Sequence, residues 1–241
     1  MDAYGKDFSA LYNNRWGFYG VKMWPFLSEV IGRHQPEAET WLDLCCGAGS
    51  LLEMVCENGF SATGVDISRH QLKYARENAP CAKLVHADVR EFSLPEKFDV
   101  ITCMFDSLNY LTTKRDLTRA FRRARHHLHD EGLFIFDVNT FEGLRSRWCS
   151  VSTIREPDRM VIMDGSFDER RALGRSLITG FIKEGRLWRR FEEEHVERGY
   201  TAQELDDLLE GAGFSFRKYD SERLSRPRKD SARLLYVCRR Q

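Results

Sequence analysis

Residues 43–50 read DLCCGAGS. An apolar run ends here in two cysteines and two closely spaced glycines, Gly47 and Gly49, ahead of a helix-period stretch that begins near Ser50. A buried strand that runs through a glycine turn into a helix lets backbone approach a ligand where a Cβ would clash. The first N–H groups of the helix are also left free to meet an anion. Three nucleotide readings compete for the turn. A P-loop requires Lys followed by Ser or Thr after the glycines, and GAGSLLE has neither. A dinucleotide turn carries a third glycine where this chain has Leu52, and the bulk of that residue argues against a pyrophosphate. The third reading draws on two further acids, Asp66 and Asp88, each closing an apolar run, with spacings of 23 and 22 residues from Asp43 onward.

Around this turn the chain repeats a short apolar run, a turn and a helical stretch. TWLDLCC precedes Ser50–Cys56, SATGVDIS precedes RHQLKYARENA, and AKLVHAD and KFDVITCMF precede TTKRDLTRAFRRARHHLH and EGLFIFDVN. This alternation predicts an α/β fold with a doubly wound, mostly parallel sheet and helices on both faces. Gly132 is read as the turn that ends the long helix. Residues 141–198 change to an alternating pattern, predicting antiparallel strands inserted into the main sheet. YTAQELDDLLEGAGF carries a capping box, Thr201 and Glu204, with Gly213 at its end, and FSFRKYD and ARLLYVCRR pair as a closing hairpin. The expected organisation is an aromatic helical lid (1–40), a nucleotide-binding core (41–140), a β-insertion over the site (141–198) and a C-terminal helix and hairpin (199–241).

The 241 residues suit one core, and 37 basic residues balance 37 acidic ones, so no global field draws the chain to nucleic acid or anionic lipid. The basic stretch RRARHHLH, residues 122–129, is read as an exposed helix face. Seven cysteines without C-x-x-C spacing or a His-x-x-x-His partner predict buried thiols and no metal site. No leader-like N-terminus or membrane-length apolar run is present, so the expected setting is cytoplasmic, as a monomer or homodimer, with no membrane partner.

LDLCCGAGS, GVDIS, HADVREF and FDVITCMFDSLNYL, in this order, resemble the successive motifs of class I S-adenosylmethionine-dependent methyltransferases. The resemblance spans nearly the whole chain and is greatest to bacterial methyltransferases of small molecules, in which an aromatic N-terminal segment and a small β-insertion cover the site. It implies a seven-stranded Rossmann-like sheet and S-adenosylmethionine as cofactor. By position, Gly47 and Gly49 would pass beneath the methionine and ribose, with Asp43 steadying the turn and Cys45 standing where many relatives have Gly or Ala. Asp66 would accept from both ribose hydroxyls, Asp88 from the adenine amine, Val89 would offer its N–H to the ring, and Ile67 would pack on it. Phe105 and Met104 would flank the sulfonium, while Tyr12 and Arg15, among Tyr4, Trp16, Tyr19 and Trp24, would form the lid.

Methyl transfer requires alignment of a nucleophile with the S–CH3 axis and exclusion of water, with a base needed only for a protonated acceptor. Asp106, Tyr110 and Asn139 flank the expected methyl position. Alternation in RRFEEEHVERGY puts Phe191, Glu193, His195 and Glu197 on one face, making His195 a candidate base. The expected reaction is transfer to a nitrogen, hydroxyl or carboxyl of a small molecule. The alternatives are an RNA or protein methyltransferase, and cyclisation of S-adenosylmethionine with release of methylthioadenosine; nucleic acid is not the expected partner.

Overall fold

Trp41 donates its indole N–H to Thr102 Oγ1 at 2.9 Å, and that hydroxyl donates in turn to Asp43 at 2.7 Å. This buried relay joins two neighbouring strands at the centre of the sheet and holds the carboxyl behind the glycine turn. The computed structural model describes residues 4–15 and 18–241. The side chain of Arg15, and Trp16, lie outside the described residues.

Two helices, α1 (Lys6–Arg15) and α2 (Phe18–His34), precede the core. The core runs β1 (Thr40–Leu44), α3 (Ser50–Glu57), β2 (Ser61–Asp66), α4 (Arg69–Asn78), β3 (Lys83–His86), β4 (Phe98–Cys103), α5 (Lys114–His127) and β5 (Leu128–Asn139). A short helix, α6 (Phe141–Arg147), leads to β6 (Val151–Arg155), β7 (Arg159–Asp168), β8 (Leu173–Glu184) and β9 (Leu187–Arg198). Helix α7 (Ala202–Gly211) and strands β10 (Phe214–Asp220) and β11 (Arg233–Arg240) close the chain.

The seven-stranded sheet has the order β10-β11-β5-β4-β1-β2-β3, with β11 antiparallel to both neighbours and the rest parallel. Strand order reverses between β1 and β4, which sets a crevice at their carboxyl ends. Apolar side chains fill both faces. Helices α2, α3 and α4 pack over Trp41, Val100 and Ile135, while α5 and α7 pack over Leu42, Phe134 and Phe136. Each such fully buried side chain contributes roughly 1.5–3 kcal/mol.

Four expectations are corrected. The insertion forms its own sheet, β6-β7-β8-β9, rather than joining the main one, and α6 precedes it, capped by Thr140, whose side chain accepts from Gly143 N. Helix α5 ends at His127, and Gly132 lies inside β5 beside a register shift between β4 and β5, where a Cβ would sit 3.0 Å from Asp99 O. The basic stretch is partly structural: buried His127 bonds Arg123 O and Leu94 N, Arg123 caps Phe92 O and Arg125 caps Gly213 O. Cys56 and Cys81 form a disulfide, so the cysteines are not all thiols. The capping box at Thr201 and Glu204, and Gly213 at φ 82°, match their readings. No helix of the described residues is long and apolar enough to cross a membrane.

Candidate active site

Two cavities meet above the carboxyl ends of β1 and β4. The larger, about 830 Å³, is lined by Cys45, Gly47, Asp66, Ile67, Asp88 and Val89 below and by Tyr4 and Tyr12 above. The turn after β1 carries left-handed backbone at Cys45 (φ 54°) and Gly47 (φ 53°). A side chain at Gly47 would project toward Tyr12 Cε1, 3.8 Å from its Cβ, into the space a ligand needs. Asp66 receives the N–H of Gly47 at 2.8 Å on one oxygen and that of Ser68 at 2.7 Å on the other. These bonds orient the carboxylate and leave lone pairs for a diol. Burial nonetheless raises the Asp66 pKa above the ordinary carboxylate range.

Ile67 is 61% exposed at the mouth of the cavity, an apolar surface open to a flat ring. Asp88 also faces the cavity, but its carboxylate is bridged by Arg90, with Nε at 2.9 and 3.1 Å from the two oxygens, and this pairing lowers its pKa. Asp43, Gly49 and Met104 do not line this cavity. Asp43 is spent on Thr102, with its pKa pushed up to about 7 by burial; Gly49 is needed for its packing on Ala75, where a Cβ would come within 2.9 Å; Met104 is packed in the core.

The smaller cavity, about 260 Å³, shares Tyr4, Tyr12 and Tyr110 with the larger and adds Phe105, Asp106, Trp148, His195 and Glu197. Phe105 (φ 62°) and Asp106 (φ 53°) are consecutive non-glycine residues in left-handed backbone, a costly arrangement that persists only where surroundings impose it. Asp137 imposes it by accepting the N–H of Phe105 at 2.6 Å and of Asp106 at 3.3 Å. Arg233, from β11, pairs with Asp137 and lies 2.9 Å from Asp106, with its guanidinium over the rings of Tyr19 and Phe105 at 4.8 and 5.1 Å. Asn139 stands behind the cavity wall and donates to Asp106 at 2.7 Å and Glu197 at 3.1 Å, holding the two carboxyls side by side.

Burial pushes the Asp106 pKa up to about 6 against the pull of Arg233. Glu197, 3% exposed, is driven well above its ordinary value by burial and by the nearby Asp106 charge. Asp106 is therefore mostly ionised at neutral pH, while Glu197 holds its proton to a higher pH than an ordinary glutamate. His195 Nδ1 meets the Tyr110 hydroxyl at 2.7 Å, and its Nε2 lies 3.1 Å from Glu193. Burial raises the phenol pKa of both Tyr110 and Tyr4. Glu193 also accepts the N–H groups of Tyr4 and Gly5, tying the N-terminal segment to β9.

A methyltransferase domain model matches residues 42–132. A solved S-adenosylmethionine-dependent methyltransferase from Clostridium acetobutylicum superposes with a TM-score of 0.87 at 26% identity, over 97% of each chain. The domain match and the shared fold support a class I S-adenosylmethionine-dependent methyltransferase.

Among other similar proteins is a dTDP-3-amino-3,6-dideoxy-alpha-D-glucopyranose N,N-dimethyltransferase of Streptomyces fradiae, 27% identical over 78% of this methyltransferase and 75% of the relative. The amino pentose methyltransferase CalS10 of Micromonospora echinaspora, solved with S-adenosylmethionine bound, shares the fold with a TM-score of 0.76 at 22% identity, over 100% and 99% of the two chains. The diol-ready carboxylate of Asp66, the glycine turn and the apolar Ile67 fit this cofactor. Glu193, Glu197, Asp137 and Arg233 join the contacts around these cavities without having been singled out as site residues. For the first two, the inward face of β9 was the available signal; Arg233 lies 96 residues from Asp137 and had none.

Proposed function

We propose that this methyltransferase transfers a methyl group to the amine of a small polar molecule, with an amino sugar as the acceptor class. The observation that carries the reading is the pair Asp106 and Glu197, held by Asn139 at a pocket whose lining includes the rings of Tyr4, Phe8, Tyr12, Phe105 and Tyr110. Such a pocket favours a nitrogen that is cationic or becoming so, through the carboxylate and through aromatic faces contributing roughly 0.5–2 kcal/mol. The named relatives that act on amino sugars support the same acceptor. Ser150, Ser152 and Ser176 on the outer wall suit a hydroxylated body.

S-adenosylmethionine, when bound, supplies an electrophilic methyl on a sulfonium that leaves as a neutral thioether. Asp106, ionised at neutral pH, holds the acceptor ammonium and takes its proton, exposing the nitrogen lone pair. Arg233 and Asn139 fix the Asp106 carboxylate so that it need not reorganise. Glu197, held beside Asp106 by Asn139, hydrogen-bonds a neighbouring hydroxyl of the acceptor. Tyr4, Tyr12 and Tyr110, standing between the two cavities, align the nitrogen and exclude water. His195 keeps Tyr110 oriented through its 2.7 Å hydrogen bond.

The test is incubation with isotopically labelled S-adenosylmethionine and a panel of amino sugars, phenols, carboxylic acids and RNA, read by mass spectrometry. N-methylated amino sugar is the expected product. Transfer confined to oxygen acceptors or RNA would overturn the reading, as would methylthioadenosine formed without any acceptor.

A further inference from the structure

Gln71 sits in the first turn of α4, where its backbone N–H is capped by Ser68 Oγ at 3.3 Å. Its side chain is 1% exposed, and neither Nε2 nor Oε1 has a hydrogen-bond partner among the described residues. The other buried amides nearby are engaged. Asn109 donates to Asn139 O and Arg198 O and accepts from Asn139 N, while Asn139 donates to two carboxyls. An amide that gives up water on folding and regains nothing is a poor choice for packing, which Leu or Met would do without the loss.

Its surroundings explain the choice. Gln71 lines the larger cavity with Asp66 and Ile67, and its Oε1 lies 4.0 Å from the position of a Cβ on Gly47. Gly47 is also the residue whose N–H anchors Asp66, so the amide and the carboxylate flank the same turn. The geometry points to Gln71 as a second grip on the nucleoside half of the cofactor, its amide meeting the ribose hydroxyls that Asp66 receives. Oε1 accepts from one hydroxyl, and Nε2 donates to the oxygen of the other, a pairing a primary amide can make and a carboxylate alone cannot. Ser68 sets the amide in register with the lid, since the hydroxyl that caps Gln71 also donates to Tyr4 O at 2.8 Å. The assignment does not depend on the acceptor.

The test compares the wild-type protein with Gln71→Leu and with the unbranched Gln71→Met. Calorimetry is run with S-adenosylhomocysteine and with methylthioadenosine, which keeps the nucleoside and lacks the amino acid, and thermal melting is run without ligand. Both variants should melt no lower than wild type, because an unpartnered buried amide has been replaced by apolar atoms. Both should also bind each ligand about tenfold more weakly, by the same factor. Unchanged affinity for S-adenosylhomocysteine overturns the proposal, and a loss for it that spares methylthioadenosine moves the contact to the amino-acid half and overturns the ribose assignment. A lower ligand-free melting temperature in both variants would show a packing role instead.

Discussion

Arg233 and Asp106 meet at 2.9 Å beside the smaller cavity, and the same guanidinium pairs with Asp137. One buried cation thus faces Asp106 and Asp137 while Glu197 adds a third carboxyl through Asn139, and burial pushes the Asp106 pKa up to about 6. A base of this kind must be ionised, so kcat/KM should rise with pH on a limb centred near 6. Asp106→Asn should erase that limb and cost at least about a hundredfold. Stability runs the other way. A carboxyl raised from about 3.9 in the unfolded chain binds its proton more tightly when folded, so its contribution is complete below about pH 4. That contribution is lost as pH rises through about 6. Rate measurements from about pH 5 to pH 8 on both proteins decide the matter, and a limb that survives in the asparagine variant would remove Asp106 as base.

Asp66, the proposed ribose acceptor, has each oxygen already held by a backbone N–H. Asp66→Ala should weaken S-adenosylmethionine binding by at least about tenfold in calorimetry, since the turn loses its anchor along with the ribose acceptor. Asp66→Asn, which can still accept from Gly47, should fall between the two. Equal affinities in all three proteins would refute the assignment.

How much of this could be read from the chain depends on where each partner lies. That Gly47, Asp66, Ile67, Asp88 and Val89 gather along one cavity was legible because a parallel sheet brings successive strand ends together, where a glycine turn and regularly spaced acids leave a local pattern. The smaller cavity is built from distant segments. Asp106 is completed by Arg233 of β11, and Tyr4 by Glu193 of β9, 189 residues away, and neither pairing leaves a periodic trace. Helix α6 was hidden by its brevity, seven residues after a strand, and Gly132 was misread because a glycine at a strand irregularity resembles one at a helix end.

The N-terminal segment is held from two sides. Glu193 accepts the N–H groups of Tyr4 and Gly5, and Arg189 grips Asp7 with a pair of bonds at 2.7 and 2.9 Å. The first contact is largely buried, whereas the second is partly exposed and screened by solvent. Glu193→Ala should therefore speed S-adenosylhomocysteine release about tenfold in stopped-flow measurements, by the loss of two charge-assisted bonds. Arg189→Ala should change it by less than about twofold. Equal effects, or none, would show that the segment is held by its aromatic packing alone.

The disulfide between Cys56, near the end of α3, and Cys81, ahead of β3, encloses β2 and α4, and therefore Asp66, with a sequence separation of 25. Nothing in the cysteine spacing marks these two, because the pairing depends on α3 and α4 lying side by side. Asn78 donates to Ala48 O at 2.8 Å, and Gly49 packs on Ala75 in that same interface. In the chain-entropy account a loop of this length contributes about 3 kcal/mol, chiefly by restricting the unfolded chain. Reduction should then lower the melting temperature by about 5–10 °C for a protein of this size, and Cys81→Ser should melt with the reduced protein. Cofactor affinity should change little, because the Asn78 and Gly49 contacts hold the two helices together without the bond. Coincident melting curves with and without reductant, together with an intact mass showing free thiols at both positions, would refute the crosslink.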